Sequence, residues 1–228
     1  VAPPFSGDAD LEIIESWKLN AEPWTAAVRR RSIESRRLVT DRAIVEAVLE
    51  QKPASVLDLG CGEGWLARTL ADHGIRVHGV DVVPELIERA RAAGAGEFTV
   101  MSYEEIAAGG LAVTADVVVC NFALFGDAVV AALFRSVPSL LRGNGVFIVQ
   151  TLHPHSACGD QPYRTGWREG SWSGFDAAFT RPAPWYFRTL ESWVLLFAGN
   201  GLAVRDMREP LHPATLKPAS VIFIAARQ

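Results

Sequence analysis

The residues best suited to chemistry are an aspartate, three glycines at alternate positions and a second aspartate further on: Asp58-x-Gly60-x-Gly62-x-Gly64, then Asp81. Gly60 and Gly62 permit positive φ and carry no Cβ, so the backbone can approach a ligand closely. A helix opening behind them aims unpaired N–H groups and a partial positive charge at that ligand, which suits an anionic group. Asp81 follows at the distance where an acid accepts hydrogen bonds from ribose hydroxyls, and a carboxylate accepts two such bonds with little rearrangement. Together these residues predict a nucleotide-like molecule lying across the end of a parallel strand. A dinucleotide fingerprint, G-x-G-x-x-G, would need its third glycine where Trp65 stands.

Holding such a turn in place requires strands on both sides of it. Val56 to Leu59 reads as a short apolar strand leading into the glycines, and the helix behind them stops at His73-Gly74. Ile75 to Asp81 predicts a second strand, and Pro84 opens a helix that continues to Gly94. Strands follow at 97–101, 116–121 and 146–151, the fourth an apolar run typical of burial on both faces. A helix over 127–141 leads to Arg142-Gly143-Asn144-Gly145, read as a turn. After a helix over 190–198, the segments 202–208 and 221–226 read as two further strands. Ahead of the glycine turn, residues 11–50 read as two or three helical pieces broken near Pro23, and residues 1–10 as loosely held. Alternating strands and helices make this an α/β chain with a mostly parallel sheet.

Residues 153–188 do not fit that rhythm. They carry Tyr163, Trp167, Trp172, Phe175, Phe179, Trp185, Tyr186 and Phe187 between glycines and prolines. Leaving the carboxyl edge of the sheet, so long a segment predicts a lid or wall of a substrate pocket, with some of its aromatics forming a small core of its own.

The chain has 228 residues, 49% of them hydrophobic, enough for a sizeable core. A net charge of −4 argues against a protein built to hold nucleic-acid backbones. Cys61, Cys120 and Cys158 are odd in number and widely spaced, which fits a reducing compartment. No signal-peptide pattern opens the sequence and no apolar run is long enough for a membrane span, so a cytoplasmic protein, monomer or homodimer, is expected.

The motif Asp58-x-Gly60-x-Gly62-x-Gly64 on its apolar strand resembles the first motif of class I methyltransferases, which use S-adenosylmethionine and release S-adenosylhomocysteine. The resemblance covers about residues 56–151 and implies a Rossmann-like seven-stranded, mostly parallel sheet with helices on both faces. Residues 1–50 would form an N-terminal helical cap, and residues 51–228 the methyltransferase domain with the lid inserted at about 153–188. It implies that Asp58, Gly60, Cys61 and Gly62 hold the amino-acid end of the cofactor, that Asp81 holds the ribose and that Val82 lies on the adenine. Small-molecule methyltransferases often place an arginine on the helix before the first strand to pair with the cofactor carboxylate. Here that is Arg36, with Arg37 as the neighbouring alternative and a solvated helix face as the plain one. Ser102 stands where many relatives carry an aspartate for the adenine amine, and Tyr103 either covers that ring or points outward. Asn121-Phe122-Ala123-Leu124 lacks the paired prolines of the methyltransferases that act on nucleobase amines or glutamine. It resembles the small-molecule branch, where Asn121 and Phe122 would run beside the methionine moiety.

Methyl transfer is an in-line displacement that requires a well-placed acceptor, and a hydroxyl or protonated amine also needs a base. His153, directly after the fifth strand, is the candidate base, although a structural histidine explains it equally well. Trp24, His155, Tyr163, Trp172 and Trp185 are the candidate substrate contacts. No cluster of acids follows the fourth and fifth strands, so no metal is expected. The reading is O- or N-methylation of a small molecule. The alternatives are an NAD-dependent oxidoreductase, weakened by Trp65, and a non-catalytic S-adenosylmethionine-binding protein.

Overall fold

The computed structural model describes residues 9–228, so the stretch expected to be loosely held lies outside the described residues except for Ala9 and Asp10. Two helices come first, α1 (Ala9–Leu19) and α2 (Ala21–Arg29). The break between them falls at Asn20, not at Pro23. Pro23 sits in the first turn of α2, where a missing N–H costs nothing. A π-helical turn, Arg36–Thr40, then runs straight into α3 (Asp41–Leu49).

The sheet begins with β1 (Ser55–Leu59), α4 (Trp65–Ala71), β2 (Arg76–Asp81), α5 (Pro84–Ala93), β3 (Glu97–Val100) and α6 (Tyr103–Ala107). It continues through β4 (Ala115–Asn121), α7 (Ala128–Leu140) and β5 (Leu141–Thr151). Residues 142–145, expected as a turn, belong to β5. Ala115 pairs with Leu141 and Val117 with Val146, so the extra residues form an irregularity within the strand. The segment after β5 holds a short helix, α8 (Pro154–Cys158), and an antiparallel pair, β6 (Gly166–Arg168) with β7 (Trp185–Phe187). Helix α9 (Leu190–Ala198) leads to β8 (Leu202–Arg208) and β9 (Val221–Arg227).

The seven-stranded sheet has the order β3-β2-β1-β4-β5-β9-β8, parallel through β5 and antiparallel at β9 and β8. Period-two alternation divides the core. Leu57, Leu59, Val118 and Cys120 face α7 and α9, whereas Val56, Val117 and Val119 face α3 and α4. Both faces are covered, as the apolar run of β4 requires. The chain turns back at β1, so that β2 lies on one side of it and β4 on the other. At that switch point the carboxyl ends of β1 and β4 leave a crevice between their loops. No helix among the described residues is long and apolar enough to cross a membrane.

Candidate active site

The glycine turn forms the floor of a cavity of about 380 Å³. Gly60, Gly62 and Gly64 all have positive φ, at 80°, 57° and 79°. Gly60 has no alternative: a Cβ there would collide with the Cβ of Ala123 and lie 2.7 Å from the Tyr103 hydroxyl. The backbone N–H groups of Gly60 and Cys61 both donate to the carbonyl of Val80, at 2.7 and 3.0 Å, locking the turn to β2. Asp81 completes the lock. Its Oδ2 accepts from the Gly62 N–H and its Oδ1 from the Val83 N–H, each at 2.9 Å. Burial raises its carboxyl above the ordinary range, and the backbone donors pull it back. A carboxylate oxygen retains a lone pair after one such bond, so Asp81 is still able to accept hydroxyls from the crevice.

Asp58 lies beneath the turn rather than on the crevice wall. It is 2% exposed, its Oδ1 has no partner among the described residues, and burial together with the nearby Asp81 pushes its carboxyl up to about 7. Cys61 lines the crevice as a buried thiol, which burial, Asp58 and Asp81 keep protonated.

Arg36 enters from the π-helical turn. Its guanidinium carbon lies 5.5 Å from the Trp24 ring centroid and 4.7 Å from that of Trp65. Its Nε donates to Asp41 Oδ1 at 2.8 Å, while its Nη2 is buried without a partner among the described residues. A guanidinium held on two indoles, with one edge paired and the other idle, is set to receive a carboxylate. Arg37 points to solvent.

Other polar atoms share that condition. Of the six buried side-chain atoms without a partner among the described residues, four belong to crevice residues: Asp10, Arg36, Thr40 and Asn121. Orphaned polar atoms are costly, and their concentration here marks a site completed by a polar ligand.

Val82, Val83 and Leu86 line the crevice together with Met101, Ser102 and Tyr103. Ser102 caps α6: its Oγ accepts from the Glu105 N–H at 3.2 Å, and Glu105 Oε2 accepts from the Ser102 N–H at 2.7 Å. Tyr103 neither stands over the opening nor points outward. Its hydroxyl reaches inward to the carbonyls of Leu59 and Ala123, at 3.4 and 3.3 Å. Phe122 adopts φ 52°, rare for a non-glycine residue, while its N–H bonds the Gln150 carbonyl at 2.8 Å.

An aromatic chamber closes the other end. Trp17 meets Trp24, Phe125 and Trp172 at centroid distances of 5.1, 5.8 and 5.7 Å. Trp185 and Phe175 line the same cavity. The inserted segment is joined to the cap by Asn20, which is fully buried. Its amide donates to the carbonyls of Ser16 and Thr180 and accepts from the Thr180 N–H, all within 2.9 Å.

Besides Asp58, three expected site residues lie elsewhere. His153 is outside the crevice, 4% exposed, with both ring nitrogens occupied. Nε2 lies 2.7 Å from Glu209 Oε1, and Nδ1 accepts from the His155 N–H as the cap of α8. It anchors the chain after β5 and has no lone pair directed at a substrate, which corrects its assignment as the base. His155 is exposed and also outside. Tyr163 is exposed and outside the crevice; its hydroxyl accepts from the Leu190 N–H at 3.0 Å and its ring packs on Phe187.

Sequence reasoning missed Trp65 as a platform for Arg36; the signal was an indole immediately after the glycines. It also missed Glu63, which is fully buried between Arg29 Nε at 2.9 Å and Arg68 Nη2 at 2.6 Å and so pins the turn to α2.

A family model described as "Methyltransferase domain" matches residues 31–206. The chain belongs to that family. Its fold is that of the class I, S-adenosylmethionine-dependent enzymes. The chain is 36% identical over 114 residues to a ubiquinone biosynthesis O-methyltransferase of Xanthomonas axonopodis, covering 48% of this chain and 47% of that one. The chain thus spans about half the length of the curated relatives it matches. Among solved structures, magnesium protoporphyrin IX methyltransferase of Synechocystis with bound S-adenosylhomocysteine superposes with a TM-score of 0.67 at 16% identity, covering 97% of this chain and 100% of that one. The 1,6-didemethyltoxoflavin-N1-methyltransferase of Burkholderia thailandensis gives 0.63 at 17% identity, with 100% and 93% covered. Likeness at this level shows the fold alone.

Proposed function

We propose that this crevice binds S-adenosylmethionine and transfers its methyl group to a hydroxyl of a flat, largely apolar small molecule held in the aromatic chamber. When bound, the cofactor supplies a methyl group already activated on a sulfonium. The residues present fit it. Arg36 Nη2 takes the amino-acid carboxylate, and the bare backbone of Gly60 and Gly62 admits the chain of that moiety. Asp81 accepts the ribose hydroxyls. Val82 lies along the adenine, with the free N–H at Tyr103, in the first turn of α6, available to a ring nitrogen. Ser102, already spent as a helix cap, contributes its remaining donor. Asn121 and Phe122 border the methionine end.

In this reading residues 1–50 are a cap, residues 51–228 the catalytic domain and about 153–188 a lid. Trp24, Trp172 and Trp185 exclude water and hold the acceptor in line, which is most of what this chemistry asks of a protein. An oxygen acceptor is favoured by the O-methyltransferase activity that the Xanthomonas relatives are named for.

The observation that carries the proposal is the idle, buried Arg36 Nη2 beside the glycine turn. Titration calorimetry with S-adenosylhomocysteine tests it. Loss of a charged hydrogen bond is worth about 1.5–3 kcal/mol, so Arg36→Met is expected to bind about 10- to 100-fold more weakly. Equal affinity in the two proteins would refute the assignment, and tighter binding of NAD than of S-adenosylhomocysteine by the wild type would refute the function.

A further inference from the structure

With His153 turned away, the crevice still needs a group to take the acceptor's proton, and one is present that the glycine motif gives no hint of. Asp10 lies in the first turn of α1 on the face that also carries Ile13, Ile14 and Trp17 into the cavity. Its Oδ1 is buried and has no partner among the described residues. That oxygen occupies the space over Gly126, where any Cβ would collide with it. Gly126 ends the loop that begins with Asn121 at the tip of β4 and directly follows Phe125, whose ring packs on Trp17 of the aromatic chamber, so the carboxylate lies against the loop that carries that ring.

Resting on the reading of the crevice as a methyltransferase site, we propose that Asp10 is the general base, and that the acceptor is accordingly an aromatic hydroxyl that donates its hydrogen to Asp10 Oδ1. As the hydroxyl oxygen bonds to the methyl carbon, the methyl–sulfur bond breaks and its electron pair remains on sulfur. The hydroxyl proton passes to Asp10 and from there to solvent. The surroundings favour that role. Burial, Glu104 on α6 and Asp127 ahead of α7 raise the Asp10 carboxyl, and Arg188 ahead of α9 lowers it. A carboxylate held above its ordinary range is the stronger base.

The probe is 4-nitrophenol, whose phenolate is coloured, titrated into the protein loaded with S-adenosylhomocysteine. A carboxylate facing a phenol disfavours the phenolate, so the bound probe should ionise about one pH unit higher in the wild type than in Asp10→Asn. Gly126→Ala, which displaces the carboxylate without removing it, should move the probe in the same direction as Asp10→Asn. Identical titrations in the wild type and Asp10→Asn, or no saturable binding of the probe to the wild type, would overturn the proposal. Calorimetry with S-adenosylhomocysteine keeps the two readings apart. Asp10→Asn is expected to match the wild type there, and a wild type that does not bind it refutes the methyltransferase site itself.

Discussion

Replacing Asp58 by asparagine makes the sharpest test of how the glycine turn is built. The carboxyl is 2% exposed, has an unpartnered Oδ1, and is raised to about 7 by burial and by Asp81, against 3.8 for the free side chain. A displacement of about three units at about 1.4 kcal/mol each sets an upper bound of about 4 kcal/mol. The sign follows from linkage: the folded state holds this proton more tightly than the unfolded chain does. Its stabilising effect is complete below about pH 4, falls as pH rises, and is gone above about pH 7. The amide of Asp58→Asn has no proton to lose in this range. Urea unfolding of both proteins between about pH 4.5 and pH 8 should show the asparagine variant gaining on the wild type by about 3 kcal/mol across that range, with no cofactor present. A cation bound over the turn stabilises the ionised carboxylate, so S-adenosylmethionine binding near pH 7 should release a proton from the wild type and none from the variant. Calorimetry in buffers of different ionisation enthalpy reads that proton. A wild-type-to-variant difference that stays flat with pH would show that Asp58 is ionised in the folded protein throughout, and the argument would fail.

Gly60→Ala should abolish S-adenosylhomocysteine binding and cost about 2 kcal/mol or more in chemical denaturation, because the new methyl meets Ala123 at a φ of 80°. A variant that binds normally would mean the turn has slack that its contacts do not show. His153→Ala should lower stability by about 1–3 kcal/mol through loss of its bond to Glu209 and its cap on α8, yet leave S-adenosylhomocysteine affinity unchanged. A changed affinity would return the histidine to the site.

Much of the floor of the crevice was legible because it is local. Strand, glycine turn, helix and the acid closing the next strand lie within residues 56–83, and backbone geometry ties them together. The sheet was legible for a related reason, since apolar runs and period-two alternation register burial directly. Where reading by position failed, the deciding contact was distant. Standing directly after a strand at the carboxyl edge made His153 look like a crevice residue, but its ring is oriented by Glu209, 56 positions away. Pro23 looked like a helix break, yet the first turn of a helix is where proline is tolerated.

The acceptor end depends on such distant contacts almost entirely. Asn20 pairs with Thr180 across 160 residues, and Ser16 Oγ donates to the Arg181 carbonyl at 2.7 Å across 165. These bonds join the cap to the insert and bring Trp17 against Trp172, so the chamber has walls only when both segments are in place. A buried amide that satisfies both backbone groups of Thr180 is costly to leave unpaired, which makes cap and insert a single closing unit rather than two independent flaps. The cofactor floor is therefore fixed by one short stretch of chain, while the choice of acceptor rests on how α1 docks against residues 170–185. Asp10, on the same helix as Trp17, is carried into position by that docking, so a change that loosens Asn20 would disturb the acceptor's base and its aromatic walls together and leave the glycine turn intact.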